Sequence, residues 1–139
     1  ESAAKKVLGD AASKGDTAAG DVASDDVSVS NCVYTVKSTG GTIKEQLSNS
    51  TSASVLARAA KTSKGAESNK YVFGEGKPKG VQDVSGYGDK AYFNPDYGQL
   101  NILEGNNWYI ISNHKGSKAT EGTLAEAKVL ADAIKSTLK

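Results

Sequence analysis

The stretch Ala91-Tyr92-Phe93-Asn94-Pro95-Asp96-Tyr97-Gly98-Gln99-Leu100-Asn101-Ile102-Leu103-Glu104-Gly105-Asn106-Asn107-Trp108-Tyr109-Ile110-Ile111-Ser112 decides the fold. It holds three short apolar runs, Ala91 to Phe93, Leu100 to Leu103 and Trp108 to Ser112, separated by Asn94 to Gly98 and by Gly105-Asn106-Asn107. Asn, Asp, Pro and Gly reverse a chain readily, through side-chain hydrogen bonds to the backbone, a preset φ or access to positive φ. Apolar runs this short between such turns predict an antiparallel meander of three strands. Trp108, Tyr109, Ile110 and Ile111 are apolar at both parities, which predicts a central strand covered on both faces.

Beyond the meander, Thr123-Leu124-Ala125-Glu126 forms a capping box, in which hydroxyl and carboxylate each take a free backbone N–H. Leu124, Ala127, Leu130, Ala131, Ile134 and Leu138 follow at helical spacing and predict a long C-terminal helix across the sheet. Before the meander, Ser50, Thr51 and Ser52 offer N-caps to Val55, Leu56, Ala59 and Ala60, a stripe that predicts a second helix stopped by Gly65. Ala66 to Gly80 reads as a polar connection, with Tyr71-Val72-Phe73 as a short strand or plug. Val27 to Val36 reads as a strand with a bulge near Ser30 and Asn31, since its apolar residues change parity there. Gly40-Gly41 then turns the chain into a returning strand from Thr42 to Leu47, completing a hairpin. At the N-terminus, Ser2 to Leu8 predicts a short helix with Gly9 as its C-cap.

The expected architecture is α+β: an antiparallel sheet of about four to six strands, a long C-terminal helix and a second helix packed on it, and a short N-terminal helix. A chain of 139 residues fits one domain, with residues 1–9 as the helix, 10–26 as a loosely ordered arm and 27–139 as the core. The longest strongly apolar run, Trp108 to Ile111, falls far short of the roughly 18 residues that span a bilayer.

Net charge is +1, from 17 basic and 16 acidic side chains, so no strong field draws the chain to nucleic acid or an anionic membrane. Only one Arg is present, which further disfavours duplex recognition. One Cys, one His and no Met leave few groups for catalysis or metal binding, and no Cys-x-x-Cys, His-x-x-x-His or EF-hand spacing occurs. No catalytic residue, metal site or cofactor is therefore assigned. Cys32 has no internal partner and is expected as a buried, reduced thiol on its strand. The lack of Met, with an abundance of Ser, Thr, Ala, Gly and Lys, suggests an exported domain whose preceding segment has been removed.

Several residues invite chemistry and have plainer readings. His114 lies just past a strand end beside no acidic residue, and reads as a solvated loop histidine. Ser-x-x-Lys occurs at Ser2/Lys5 and Ser136/Lys139, as chance predicts in a chain this rich in both. Asp25-Asp26 precedes a strand, and Asp89 in Gly86-Tyr87-Gly88-Asp89 reads as a turn carboxylate accepting backbone N–H groups. Gly74 to Gly80 carries Lys77 and Lys79 but is interrupted by Pro78 and opens no helix, so it is a poor phosphate loop. Tyr87, Tyr92 and Tyr97 fall close together among glycines. Aromatics with a wet hydroxyl anchor binding surfaces, and the alternative is packing under the last helix and bracing of turns. With Lys77 and Lys79 they are the candidate contact residues.

The helix ending Val7-Leu8-Gly9, the strand with Cys32-Val33-Tyr34, the segment Val84 to Phe93, the hairpin Gln99 to Ser112 and the closing helix Leu124 to Leu138 together are similar to small DUF3558-like bacterial cell-envelope lipoprotein domains, within a broader PsbP-like α/β/α group. The most specific element is Gly86-Tyr87-Gly88-Asp89-Lys90-Ala91-Tyr92. Such domains often carry a second Cys, which this chain lacks. The resemblance implies a lipid anchor on a Cys upstream of Glu1 and a non-enzymatic role in binding or assembly, with a protein or envelope component as partner. Two other readings stand beside it: a self-associating structural subunit docking through its N-terminal helix and arm, and a small hydrolase.

Overall fold

A computed structural model describes residues 1–15, 24–115 and 122–135. In chain order the elements are α1 (Ser2–Leu8), β1 (Ser13–Lys14), β2 (Val27–Val36), α2 (Ile43–Asn49), β3 (Thr51–Ala60), α3 (Ser63–Glu75), β4 (Gln82–Asp83), β5 (Lys90–Asn94), β6 (Gln99–Glu104), β7 (Asn107–Lys115) and α4 (Leu124–Ile134). The strands form one antiparallel sheet in the order β1-β2-β3-β7-β6-β5-β4. The fold is the expected α+β arrangement with an antiparallel sheet, a C-terminal helix and a short N-terminal one. Its strands number seven, because two-residue strands flank the sheet at both edges. Among the described residues no helix is long and apolar enough to cross a membrane.

The meander from β5 to β7 forms as its turns dictate, with Leu103 opposite Trp108 and Leu100 opposite Ile111. Leu100, Ile102 and Ile111 are fully buried on the face covered by α4, whose Ala127 and Ala131 are also at 0% exposure. Small side chains on the helix let it lie close to the sheet and pack against these strands. Thr123 caps α4 as expected: its hydroxyl accepts from Glu126 N–H at 3.3 Å, and Glu126 Oε2 accepts from Thr123 N–H at 3.1 Å. The expected extension of this helix to Leu138 lies outside the described residues.

The middle of the chain departs from expectation. Residues 51–60, whose Val55, Leu56, Ala59 and Ala60 suggest a helix, form β3, paired along its length with β2 and over Thr51 to Arg58 with β7. Backbone pairing on both sides outweighs a helical stripe built largely of Ala. The returning strand expected from Thr42 to Leu47 is absent, and residues 43–49 form α2 instead, started by a second capping box in which Glu45 Oε2 accepts from Thr42 N–H at 2.7 Å. Ile43 and Leu47 are four residues apart, a spacing that suits a helix as well as it suits alternation. The Val27 to Val36 strand carries no bulge, since its register with β3 is continuous. Apolar residues occur at both parities because helices lie on both faces of the sheet.

The expected polar connection from Ala66 is largely α3, capped by Thr62, whose hydroxyl accepts from Gly65 N–H at 3.1 Å. Gly65 does not end a helix. It lies in the first turn of this one, where a Cβ would sit 2.0 Å from the Asp26 carbonyl oxygen. The helix lies on the opposite sheet face from α4, with Ala66, Asn69 and Phe73 buried. Asn69 holds it there: Nδ2 donates to the carbonyls of Arg58 (3.0 Å) and Asn106 (2.8 Å), and Oδ1 accepts from Arg58 Nε at 2.6 Å. One buried amide thus ties α3 to β3 and to the β6–β7 turn. In the arm, Ala12 is buried and Ser13–Lys14 pairs with β2, while residues 16–23 lie outside the described residues.

Removing a buried amide leaves its former partners without hydrogen bonds, at about 1–3 kcal/mol for each such group. Asn69→Ala is expected to lower unfolding stability by roughly 2–4 kcal/mol. Urea denaturation checks this: the midpoint falls and the slope stays constant if the native fold is retained.

Candidate functional site

The five candidate contact residues separate into different places. Tyr87 is buried under α4 on one face of the sheet, where its hydroxyl donates to Asp132 Oδ1 at 2.9 Å and Lys135 Nζ lies 5.3 Å from its ring centre. Burial, followed by the bond to Asp132, pushes the Tyr87 phenol up to about 12. Tyr92, five residues on, is buried on the other face, against Phe73 at 5.0 Å between ring centres. Burial also raises its phenol. Tyr97 is 56% exposed in the β5–β6 turn, at the far end of that hairpin from Lys90 and Glu104. The three tyrosines therefore form no single surface, and Tyr87 and Tyr92 serve as packing groups.

Lys77 and Tyr92 do come together. Lys77 follows α3, ion-pairs with Asp83 and places Nζ 5.5 Å from the Tyr92 ring centre. Between α3 and the β5–β6 hairpin lies an open groove of about 750 Å³. Phe73, Tyr92 and Leu103 form its apolar floor, and Lys70, Lys77 and Lys90 stand around it. Lys79 is exposed and does not line the groove. Of the two carboxylates at the rim, Asp83 is neutralised by Lys77, and Asp89 Oδ2 accepts from Gly105 N–H at 2.8 Å. Asp89 is a turn carboxylate, as expected, but it grips the β6–β7 turn rather than its own. Its N–H donates to the Leu103 carbonyl at 2.8 Å, which brings Gly88 so close that a Cβ would lie 2.4 Å from the same oxygen. Gly88 also has φ +56°, a second reason for glycine there.

Lys70 and Lys90 make no ion pair among the described residues. They are the groove's available cations, and sequence reasoning missed both. Lys70 lies in a helix read as a loop, and Lys90 opens a strand whose neighbour in space, α3, was unforeseen.

The other candidates resolve plainly. His114 is not in a loop. It lies half-buried on β7 opposite Ser52 of β3, with no hydrogen bond or ion pair among the described residues. Lys5 pairs with Glu1 at 2.9 Å rather than with Ser2, and the Ser136/Lys139 pair lies outside the described residues. Asp26 accepts from the Thr62 hydroxyl at 2.7 Å, which, with Lys64 at 3.4 Å, holds its carboxyl below the usual range. Cys32 is free but half-buried rather than buried, and it lines a second, smaller cleft. Among the described residues no group of three or more His, Cys, Asp or Glu is placed to hold a metal.

Comparison with known protein families, with curated proteins and with solved structures finds no significant match to this chain.

The raised phenol of Tyr87 has a pH consequence. Its neutral form is favoured by folding, so this contribution to stability is complete below the unfolded value of about 10 and is lost as pH rises toward 12. Tyr87→Phe should therefore unfold at lower denaturant than the parent at pH 8, by about 1 kcal/mol for the lost hydrogen bond, and lose less stability between about pH 10 and 12. Parallel denaturant titrations at several pH values check both.

Proposed function

We propose that this chain is a non-enzymatic binding or assembly module of the cell envelope, working outside the cytoplasm, and that the groove between α3 and β5 receives its ligand. The carrying observation is the pairing of an aromatic and aliphatic floor with Lys70 and Lys90, which make no ion pair among the described residues, at its rim. An apolar pocket with a few convergent charges is the usual form of a small-ligand site, and about 750 Å³ lies within the size range of such sites. Those charges favour an anionic group, carboxylate or phosphate, on a flat or apolar body belonging to a protein or envelope component. The extracytoplasmic setting, with an upstream lipid anchor, rests on composition and on the envelope-lipoprotein resemblance.

The site's carboxylates support binding rather than acid–base work. Asp83 and Asp89 are both engaged, one by a lysine and one by a backbone amide, so each serves to shape the groove. A structural subunit docking through α1 has less support. The buried Ala4 and partly buried Ala3, Val7 and Leu8 already pack within the chain against the core beneath α4.

Phenyl phosphate is a suitable probe, because it combines an anion with a ring. Titrated into the isotope-labelled chain and followed by amide NMR, it should shift Lys70, Lys90, Tyr92 and Gly105 together. The double variant Lys70→Glu/Lys90→Glu should weaken binding about tenfold or more, as expected for the loss of charge-assisted contacts, while Lys79→Glu stays within about twofold of the parent. Shifts scattered over the surface, or equal weakening by Lys79→Glu, would remove the groove as the binding site.

A further inference from the structure

Tyr87 and Tyr92 are both buried, but their hydroxyls end differently. The Tyr87 hydroxyl donates to Asp132, whereas the Tyr92 hydroxyl makes no hydrogen bond among the described residues, although Tyr92 is only 4% exposed. A phenol set this deep ordinarily has a partner. Among the described residues, the enclosed side-chain oxygens without one are Oδ1 of Asn31 and Oδ1 of Asn113. The Tyr92 hydroxyl is not enclosed in that way. It keeps an opening to solvent, and the space that Tyr92 lines is the groove between α3 and β5. Burial raises this phenol, which keeps it neutral and able to donate.

A glycine on the helix wall keeps the same space open. Gly74 lies inside α3, where glycine is a poor helix former. No neighbour demands it, because a Cβ there would meet nothing within 4 Å, and its φ is not positive. It lines the groove together with Lys70, Phe73 and Lys77, which share its face of the helix. On the opposite wall Lys90 and Tyr92 alternate along β5 and so share a face of the sheet. Every lining residue falls between Lys70 and Asn106, within the described stretch 24–115.

Three lysines stand against two carboxylates around the groove, so its rim is net positive. Lys77 lies over the Tyr92 ring and is held by Asp83, which leaves the ammonium groups of Lys70 and Lys90 to meet an anion. With the Tyr92 hydroxyl, three donors on two facing walls are available. A carboxylate offers two oxygens in one plane. A phosphate monoester offers three oxygens directed apart and carries close to two negative charges at neutral pH. Donors on opposite walls suit the second shape.

We infer that the groove takes the terminal phosphate of a monoester carried on a ring, with one oxygen accepting from the Tyr92 hydroxyl and the other two from Lys70 and Lys90. This rests on the reading of the groove as an anion site, and adds to it a donor and a choice of anion. The space beside Gly74 admits the ring to the floor of Phe73 and Leu103.

The test titrates phenyl phosphate, benzoate and inorganic phosphate into the labelled full chain near neutral pH, followed by amide NMR. Phenyl phosphate should bind about tenfold more tightly than either of the others, since benzoate lacks the third oxygen and inorganic phosphate lacks the ring. Tyr92→Phe removes the hydroxyl and keeps the ring that packs on Phe73. It should weaken phenyl phosphate about tenfold, the usual effect of losing a hydrogen bond to a charged group, and leave benzoate within about twofold of the parent. Gly74→Leu should fill the space and weaken both ring anions about tenfold, while its urea midpoint stays at or above the parent's, since leucine favours a helix. Undiminished phenyl phosphate binding in Tyr92→Phe or in Gly74→Leu overturns the inference and leaves the groove as an anion site. A benzoate loss in Tyr92→Phe as large as the phosphate loss, or inorganic phosphate bound as tightly as the ester, does the same. Absence of groove shifts with both ring anions removes the anion site itself, and this inference with it.

Discussion

The pairing of β3 with β7 is the constraint on which the rest of the molecule depends. It joins residues 51–58 to residues 108–115, a separation that no local preference can bridge, and it makes one sheet of two halves. The meander β5-β6-β7 is local and forms from its own turns, whereas β2 and β1 enter the sheet only through β3. Because β3 ends at Ala60 and Thr62 caps the next helix, the chain must turn back over the sheet face opposite α4. Asn69 then fastens α3 above Arg58 and Asn106, which sets the wall of the groove. The groove is thus a late consequence of a long-range strand pairing.

This order of dependence explains which parts are legible in the sequence. The meander is readable because Asn94 to Gly98 and Gly105 to Asn107 announce their turns, and α4 because Thr123 and Glu126 announce its start. The same box at Thr42 and Glu45 was open to reading and would have identified α2. Residues 51–60 are different. Ala, Ser and Val there satisfy a helical stripe and a strand alternation alike, and only neighbours on both sides decide between them. The helix α3 hides for another reason: its buried face is Ala66, Asn69 and Phe73, and the central position is a polar residue whose partners lie on other elements.

The candidate site was legible in part for the same reason. Tyr92 and Lys77 are suggested by their residue types, and a helix that sequence reasoning missed brings them together. Tyr87, five residues from Tyr92, points to the opposite face, so closeness in sequence misleads along a strand and its preceding turn. Lys70 and Lys90 carry no local signal at all, and their value comes from standing over one aromatic floor.

Everything above rests on residues 51–60 being a strand between β2 and β7. In the described register Val55 and Ile111 face each other as a non-hydrogen-bonded pair, since the outward carbonyl of Val33 sets the alternation across β2 and β3. Their α-protons should then lie close enough for a strong through-space NMR contact. The account predicts that contact, together with extended-strand Cα shifts from Ala53 to Arg58. Helical Cα shifts over Ser54 to Ala60, without a contact between Val55 and Ile111, would contradict it.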